Sequence, residues 1–388
     1  MFLIGDVLRK TAIYFNLDFI RYTAVFKTIV IVTYVVFIGV FIKEYTNLRV
    51  TKKFIVFSAI LLCFFFLGQI SIKSDTSIVS LLSGNILFLS RYLFWFLTLI
   101  AFLPLISSNE YSNQHLRLFS IIFFVNFFFI LYGFFFDINL FKTYLNSDRF
   151  GFMGIYNTSN QVSYYFILFI LYYYYRVYFK AKNYLAFGLV FLVSLLVGTK
   201  KVYFFLIILF LYHFLKFKIY QNSKFYTILS AFVVLVIVFF SKLKAFFASK
   251  FQIFVNIYNE DGLISSVTSL RDKLLVKTFD EILIKSWRLP NYIFGGPKFQ
   301  EVRTEFELID LYLFFGFFGL YAFYCFFKTF YQFTHFSKFY LFILVSVGLT
   351  AFFSSGFLSD ANQPILFILI SWYFITETNQ EIKEFKEY

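Results

Sequence analysis

Long, nearly uncharged apolar runs recur along the whole chain, and they restrict its fold more than any other feature. Of the 388 residues, 60% are hydrophobic and only 14% are charged, whereas a soluble domain has about a quarter of its residues charged. A run that sits in lipid must satisfy its backbone hydrogen bonds internally, and a helix does this within one segment. A β-barrel would show short segments of alternating polarity, and these runs do not alternate. The expectation is an all-α, polytopic integral membrane protein built as a single membrane domain over residues 1–388.

The runs fall near 24–42, 53–72, 86–106, 116–136, 161–179, 184–198, 202–219, 225–240, 306–327, 338–356 and 362–376. They predict about eleven transmembrane helices, within a range of roughly 10–12. The stretch 184–219 is too long for one helix across a ~30 Å hydrocarbon core. Its only polar break, Gly198-Thr199-Lys200-Lys201, reads as a tight hairpin between two short spans. Residues 1–23 mix Asp6, Arg9, Lys10, Asp18 and Arg21 with apolar side chains, the pattern of an interfacial helix or a poor first span. The first residues lack a basic n-region and a small-residue cleavage site, so no removable signal peptide is expected. Cys63 and Cys325 fall inside apolar runs and imply no disulfide framework.

A net charge of +14 would suggest nucleic acid in a soluble protein. Here most Lys and Arg occupy short loops, where they set topology, and no nucleic-acid partner is expected. Some can bind acidic head groups or a charged lipid substrate. The loops holding Lys43, Arg49, Lys52 and Lys53, then Arg176, Lys180 and Lys182, then Lys216, Lys218 and Lys224, then Lys328 and Lys338, share one side. That side and the C-terminus are then cytoplasmic. The loop 137–160, the Gly198 hairpin and the long loop 241–305 are placed outside. Within 241–305 the segments 243–258 and 269–287 are amphipathic, Ser269-x-x-Asp272 is a capping pattern for the second, and Gly295-Gly296-Pro297 is a turn. The 67 Phe and 30 Tyr read as compositional bias rather than as a ligand-stacking surface.

His115, His213 and His335 show no metal-ligand spacing, and there is no Gly-rich phosphate loop or nucleophile elbow. No metal or cofactor is expected. The candidates for chemistry lie on the proposed outer face: Arg149 with Asn157 and Asn160, Lys200 and Lys201, Arg271-Asp272, Arg303, and the carboxylates Glu305, Glu307 and Asp310. Glu307 and Asp310 are spaced to share one face at the mouth of an apolar helix, with Arg303 one turn earlier. Ionisable groups at a span are expensive and point to function. Taken singly, each has a plainer role: a solvated loop charge, a head-group anchor, a helix cap for Asp272, an ion pair between Glu305 and Arg303. Arg91, inside a span, calls for a partner or a function. Convergence on one side of the membrane favours a site.

The order of these features resembles the Wzy-type O-antigen and exopolysaccharide repeat-unit polymerases, within the wider O-antigen ligase-like superfamily. The resemblance rests on Asp148-Arg149-Phe-Gly151 with Asn157 and Asn160, and on Gly198-Thr199-Lys200 opening a span. It continues with Ser269-Leu-Arg271-Asp272 leading to Ile-Phe-Gly295-Gly296, and ends with Glu305-x-Glu307-x-x-Asp310 before Gly316-x-x-Gly319. With the span pattern it covers most of the chain. Ligases of the superfamily carry a histidine where this chain has Glu305, and the departure is similar to the polymerase branch. Lys200 stands in place of an arginine, keeping the charge without the bidentate fork.

The resemblance implies a metal-independent membrane glycosyltransferase at the periplasmic face of the bacterial inner membrane. A glycan on undecaprenyl diphosphate would pass to a sugar hydroxyl of a second lipid-linked repeat unit. Arg271 and Lys200, then Arg149 and Arg303, with Asn157 and Asn160, would bind the diphosphate and substrate. Glu305, then Glu307 or Asp310, would act as base. Undecaprenyl-diphosphate-linked oligosaccharide, membrane lipids and a polysaccharide chain-length regulator are the candidate partners. An O-antigen ligase acting on lipid A–core is the nearest alternative, and a lipid-linked oligosaccharide flippase is the alternative from another class.

Overall fold

A computed structural model describes residues 2–387 except 16, 18–19, 42–47, 74–76, 107–108, 145–148, 239 and 297–302. Asp18, Lys43, Asp148 and Pro297, and the side chains of Arg21, Lys224 and residues 241–251, lie outside the described residues. Of the structure, 81% is helix, and among the described residues there is no strand, only an isolated antiparallel bridge between Lys142 and Phe152. The all-α class read from the apolar runs is the class observed.

In chain order the helices are α1 (Phe2–Tyr14), α2 (Ile20–Phe41), α3 (Leu48–Ser71), α4 (Ile78–Ile106), α5 (Asn109–Phe136), α6 (Ser159–Tyr178), α7 (Tyr184–Leu196) and α8 (Lys200–Lys216). They continue as α9 (Ser223–Val238), α10 (Phe240–Thr268), α11 (Arg271–Thr278), α12 (Asn291–Phe294), α13 (Glu307–Phe333), α14 (Lys338–Phe352) and α15 (Gln363–Glu387). A helix occupies every apolar run. Among the described residues four helical segments are long and apolar enough to cross a membrane, namely Arg49–Ser71, Ile78–Leu103, Gln114–Phe136 and Glu307–Phe333. Thr28–Val40, α7 and α14 are shorter apolar helices. The outer faces of these helices are apolar: Val36 on α2, Phe128 and Phe135 on α5 and Phe317 on α13 are all exposed. Water would oppose such a surface, whereas lipid accepts it.

The middle of the bundle is α6, buried along nearly its whole length. Its run of tyrosines gives it a polar content that the other spans lack, and their hydroxyls find partners inside the protein. Tyr164 donates to Ser354 O (2.8 Å), and Tyr174 meets His213 Nδ1 (3.0 Å). Helices α4 and α5 begin one to two turns ahead of their apolar runs, so His115, expected in a loop, is helical. Ser77 Oγ accepts from Ser80 N (3.3 Å) and so caps the start of α4, while Ser80 Oγ and Ser83 Oγ bond back to Ser77 O and Ser80 O.

The helix expected over 269–287 breaks into α11 and a π-helical turn, Phe279–Ile284. Ser269 does not cap it. Ser269 and Leu270 are both left-handed (φ 57° and 67°), ending α10 and turning the chain so that α11 starts at Arg271. Asp272 instead reaches back to α10, accepting from Ser265 Oγ and from Thr268 Oγ1 (2.8 Å).

Two glycine motifs meet. Gly316 interrupts α13 with φ 63° and ψ −159°, and the Leu313 carbonyl this frees accepts from Gly296 N (2.9 Å). A Cβ on Gly316 would sit 1.8 Å from Ile293 O, so the segment Ile293–Gly296 docks into the break by backbone contact. This junction fixes where the outer loop rejoins the bundle at α13.

Candidate functional site

The N-terminal ends of α6, α8 and α11 and the C-terminal ends of α10 and α14 surround a cavity of about 560 Å³. Its lining includes Arg149, Asn160, Lys200, Lys201 and Arg271, and among the described residues no carboxylate. The cavity is within the range of small-ligand sites.

Each cation is held by a local reason. Gly198 turns the chain between α7 and α8 at φ 70°, and a Cβ there would lie 2.2 Å from Phe150 O. The loop ahead of α6 therefore crosses directly over this turn. It is fastened by Phe152 N to Leu196 O (2.8 Å) and by Thr143 Oγ1 to Val197 O (3.0 Å). That crossing brings Arg149 beside the start of α8. The Arg149 guanidinium lies 4.0 Å from the Tyr144 ring centre and 4.9 Å from that of Phe254. The Lys200 ammonium stands 3.8 Å from the same Phe254 ring and donates to the carbonyls of Ser266 and Val267, the latter at 3.2 Å. Aromatic faces hold cations through the ring quadrupole, and carbonyl oxygens through hydrogen bonds.

Lys201 is buried and donates to Asn160 Oδ1 and to Ser355 O (3.1 Å), tying α6, α8 and the end of α14 together. Arg271 donates from Nε to Glu305 Oε2 (3.0 Å) and from Nη1 to Phe353 O (3.2 Å). Burial from Phe254 and its neighbours raises the Tyr144 phenol above its ordinary range, while Arg149 and Arg271 pull the other way. Burial lowers the pKa of Lys200 to about 8 and that of Lys201 to about 7, so an anion entering the cavity would favour their charged forms. Four basic side chains and, among the described residues, no lining carboxylate suit the cavity to an anion.

The three carboxylates separate. Glu305 touches the cavity through Arg271, and its side chain remains 47% exposed. It is also left-handed (φ 59°), a conformation that strains a non-glycine residue and recurs at active sites. Glu307 is buried and fully used. Its Oε1 accepts from Leu358 N (3.0 Å) and Ser359 N (2.9 Å), and its Oε2 from Phe357 N (3.0 Å) and Gly356 N. Asp310 is likewise buried. It accepts from Thr304 N (3.0 Å) and Thr304 Oγ1 (2.7 Å), and faces Arg303 at 3.7 Å.

Arg303 thus pairs with Asp310 rather than Glu305, and its guanidinium lies over the Phe88 ring of α4. Arg91 on the same helix also lies over Phe88 and senses Asp360 as its strongest opposite charge. Neither Arg303, Glu307, Asp310 nor Asn157 lines the cavity, and Asn157 precedes Thr158, the residue that caps α6. Of the residues singled out from sequence, Arg149, Asn160, Lys200, Lys201 and Arg271 share the cavity wall, with Glu305 behind Arg271.

Lys201 was singled out in sequence together with Lys200, whereas Tyr144 and Phe254 carried no signal. Among the described residues no group of three His, Cys, Asp or Glu side chains is placed to hold a metal. No family model, curated protein or solved structure matches this chain.

Proposed function

We propose that this chain is a membrane glycosyltransferase that polymerises lipid-linked oligosaccharide repeat units. It would cross the bacterial inner membrane eleven times, with its C-terminus in the cytoplasm and the cavity on the periplasmic side. The observation that carries the reading is the convergence of Arg149, Lys200, Lys201 and Arg271, from three separate stretches of chain, on one cavity that has no lining carboxylate among the described residues. Breaking a sugar–diphosphate bond needs charge neutralisation at the leaving group more than it needs a proton, and these cations supply it.

In the proposed reaction the acceptor hydroxyl oxygen bonds to the donor's anomeric carbon as the bond from that carbon to the diphosphate oxygen breaks. Undecaprenyl diphosphate leaves with the electron pair. Glu305 takes the hydroxyl proton. The diphosphate competes with Glu305 for Arg271, so donor binding would release the carboxylate for its role as base. Arg149 and Lys200 face the leaving group across the Phe254 ring, and Lys201 positions Asn160.

The test is a gel of surface glycan from a deletion strain complemented with wild type, Arg271→Ala or Glu305→Ala. Deletion is expected to collapse the ladder of lengths to a single repeat unit, restored by wild type and by neither variant at equal membrane levels. An unchanged ladder in the deletion strain refutes the reading. Loss of the single-unit band as well would place the protein elsewhere on the path, as ligase or flippase.

A further inference from the structure

A second cavity, of about 450 Å³, lies at the other end of α6. It is lined by Arg117 of α5, by Tyr172, Tyr173 and Arg176 of α6, and by Lys180 and Lys182 of the turn that follows. Asn160 and Arg176 are sixteen residues apart on one helix, about 24 Å along its axis, so the two cavities are separate. Among the described residues the carboxylate in the wall is Glu377 of α15, which pairs with Lys180 at 2.6 Å. Arg176 donates to the Tyr172 hydroxyl (2.9 Å), which fixes the guanidinium in the wall without neutralising it.

Four cations thus face one carboxylate. The dipole of α6 accounts for positive charge at its own C-terminal end. It does not account for Arg117, which comes from a different helix, beyond that helix's first turn.

We propose that this cavity binds a phosphate-bearing anion, and that the ligand is the head group of an anionic phospholipid. Basic pockets between spanning helices take such head groups, and arginine with lysine suits a phosphate diester. The neighbouring surface fits the rest of the lipid: Leu118 and Ile121, directly after Arg117 on α5, are exposed apolar side chains along which acyl chains can lie. The site goes beyond the proposed glycosyl transfer. Only its assignment to the cytoplasmic leaflet rests on the orientation given above.

The test uses full-length protein purified in mild detergent, read by native mass spectrometry with added phosphatidylglycerol or phosphatidylcholine. A parallel arm reads thermal unfolding with inorganic phosphate. Wild type is expected to retain phosphatidylglycerol over phosphatidylcholine, and the R117Q/R176Q double variant to lose at least about tenfold of that retention. Glu377→Gln removes the opposing charge and is expected to raise retention. Arg271→Gln, in the other cavity, is expected to leave it unchanged.

Stabilisation by inorganic phosphate that the double variant loses would support the phosphate site and assign it to a free anion. Equal lipid retention and equal phosphate response in wild type and the double variant would overturn the proposal. So would a loss in Arg271→Gln as large as in the double variant. If the double variant does not fold, failure of Glu377→Gln to exceed wild type overturns it. None of these readouts needs glycosyl transfer, so this site and the polymerase reading fail independently.

Discussion

Replacing Glu307 by Gln separates a structural carboxylate from a catalytic one. The Glu307 side chain accepts four backbone N–H groups, from Gly356 to Ser359, and all four donor residues are buried. It pins the loop between α14 and α15 to the first turn of α13. A glutamine keeps the shape but presents an NH₂ to two of the four donors, leaving two buried N–H groups unsatisfied. At ~1–3 kcal/mol for each, the cost is roughly 2–6 kcal/mol. Alanine strands all four, roughly 4–12 kcal/mol, comparable with the whole stability of a typical domain.

Thermal unfolding in detergent, followed by size-exclusion of the folded fraction, reads the loss directly. Glu307→Gln should lower the midpoint by at least about 2 °C, and Glu307→Ala should deplete folded protein in the membrane. The reasoning is refuted if Glu307→Gln unfolds within about 1 °C of wild type while failing to restore the glycan ladder. Glu307 would then act on substrate rather than on the fold.

Gly316→Ala and Gly348→Ala should move stability in opposite directions. The first places a Cβ against Ile293 O in a backbone conformation close to glycine-only, costing at least ~1–3 kcal/mol. The second meets nothing within 4 Å on a regular stretch of α14 and gains up to ~1 kcal/mol of helix propensity, so equal midpoints would refute the junction's role. The hydroxyl of Ser265, with Thr268, holds the Asp272 carboxyl below its ordinary 3.8. A depressed value stabilises the charged form, so the contribution is present above 3.8 and is lost as pH falls through the lower folded value. The midpoint difference between wild type and Asp272→Asn should therefore be visible at about pH 6 and close in acid, and a difference that persists there would count against the bond between α10 and α11.

The parts legible in sequence were those where a charge or a break interrupts an apolar background. Lipid-compatible runs named the helices, and Arg149, Lys200 and Arg271 stood out as basic residues in the polar breaks between those runs. Glycine spacing marked Gly295, Gly296 and Gly316, although nothing in it said that these residues touch, since the contact joins segments that only the fold brings together. The carboxylates were harder. Glu305, Glu307 and Asp310 are close in sequence and look interchangeable there, yet their roles are set by what folds against them from afar.

Glu307 is consumed by the loop after α14, some fifty residues on. Asp310 is taken by Thr304 and Arg303, and only Glu305 reaches a cavity cation. The helical spacing of Glu307 and Asp310 correctly put them on one face, but that face points into the protein. Asp310 keeps one oxygen without a hydrogen bond, but that oxygen is buried against Arg303, whereas the half-exposed member of the three, on a strained residue ahead of the helix, has an acceptor within reach of a ligand. A base must have an acceptor that a substrate can reach, and in the proposed reaction accessibility, rather than sequence position, is what puts Glu305 ahead of Glu307 and Asp310.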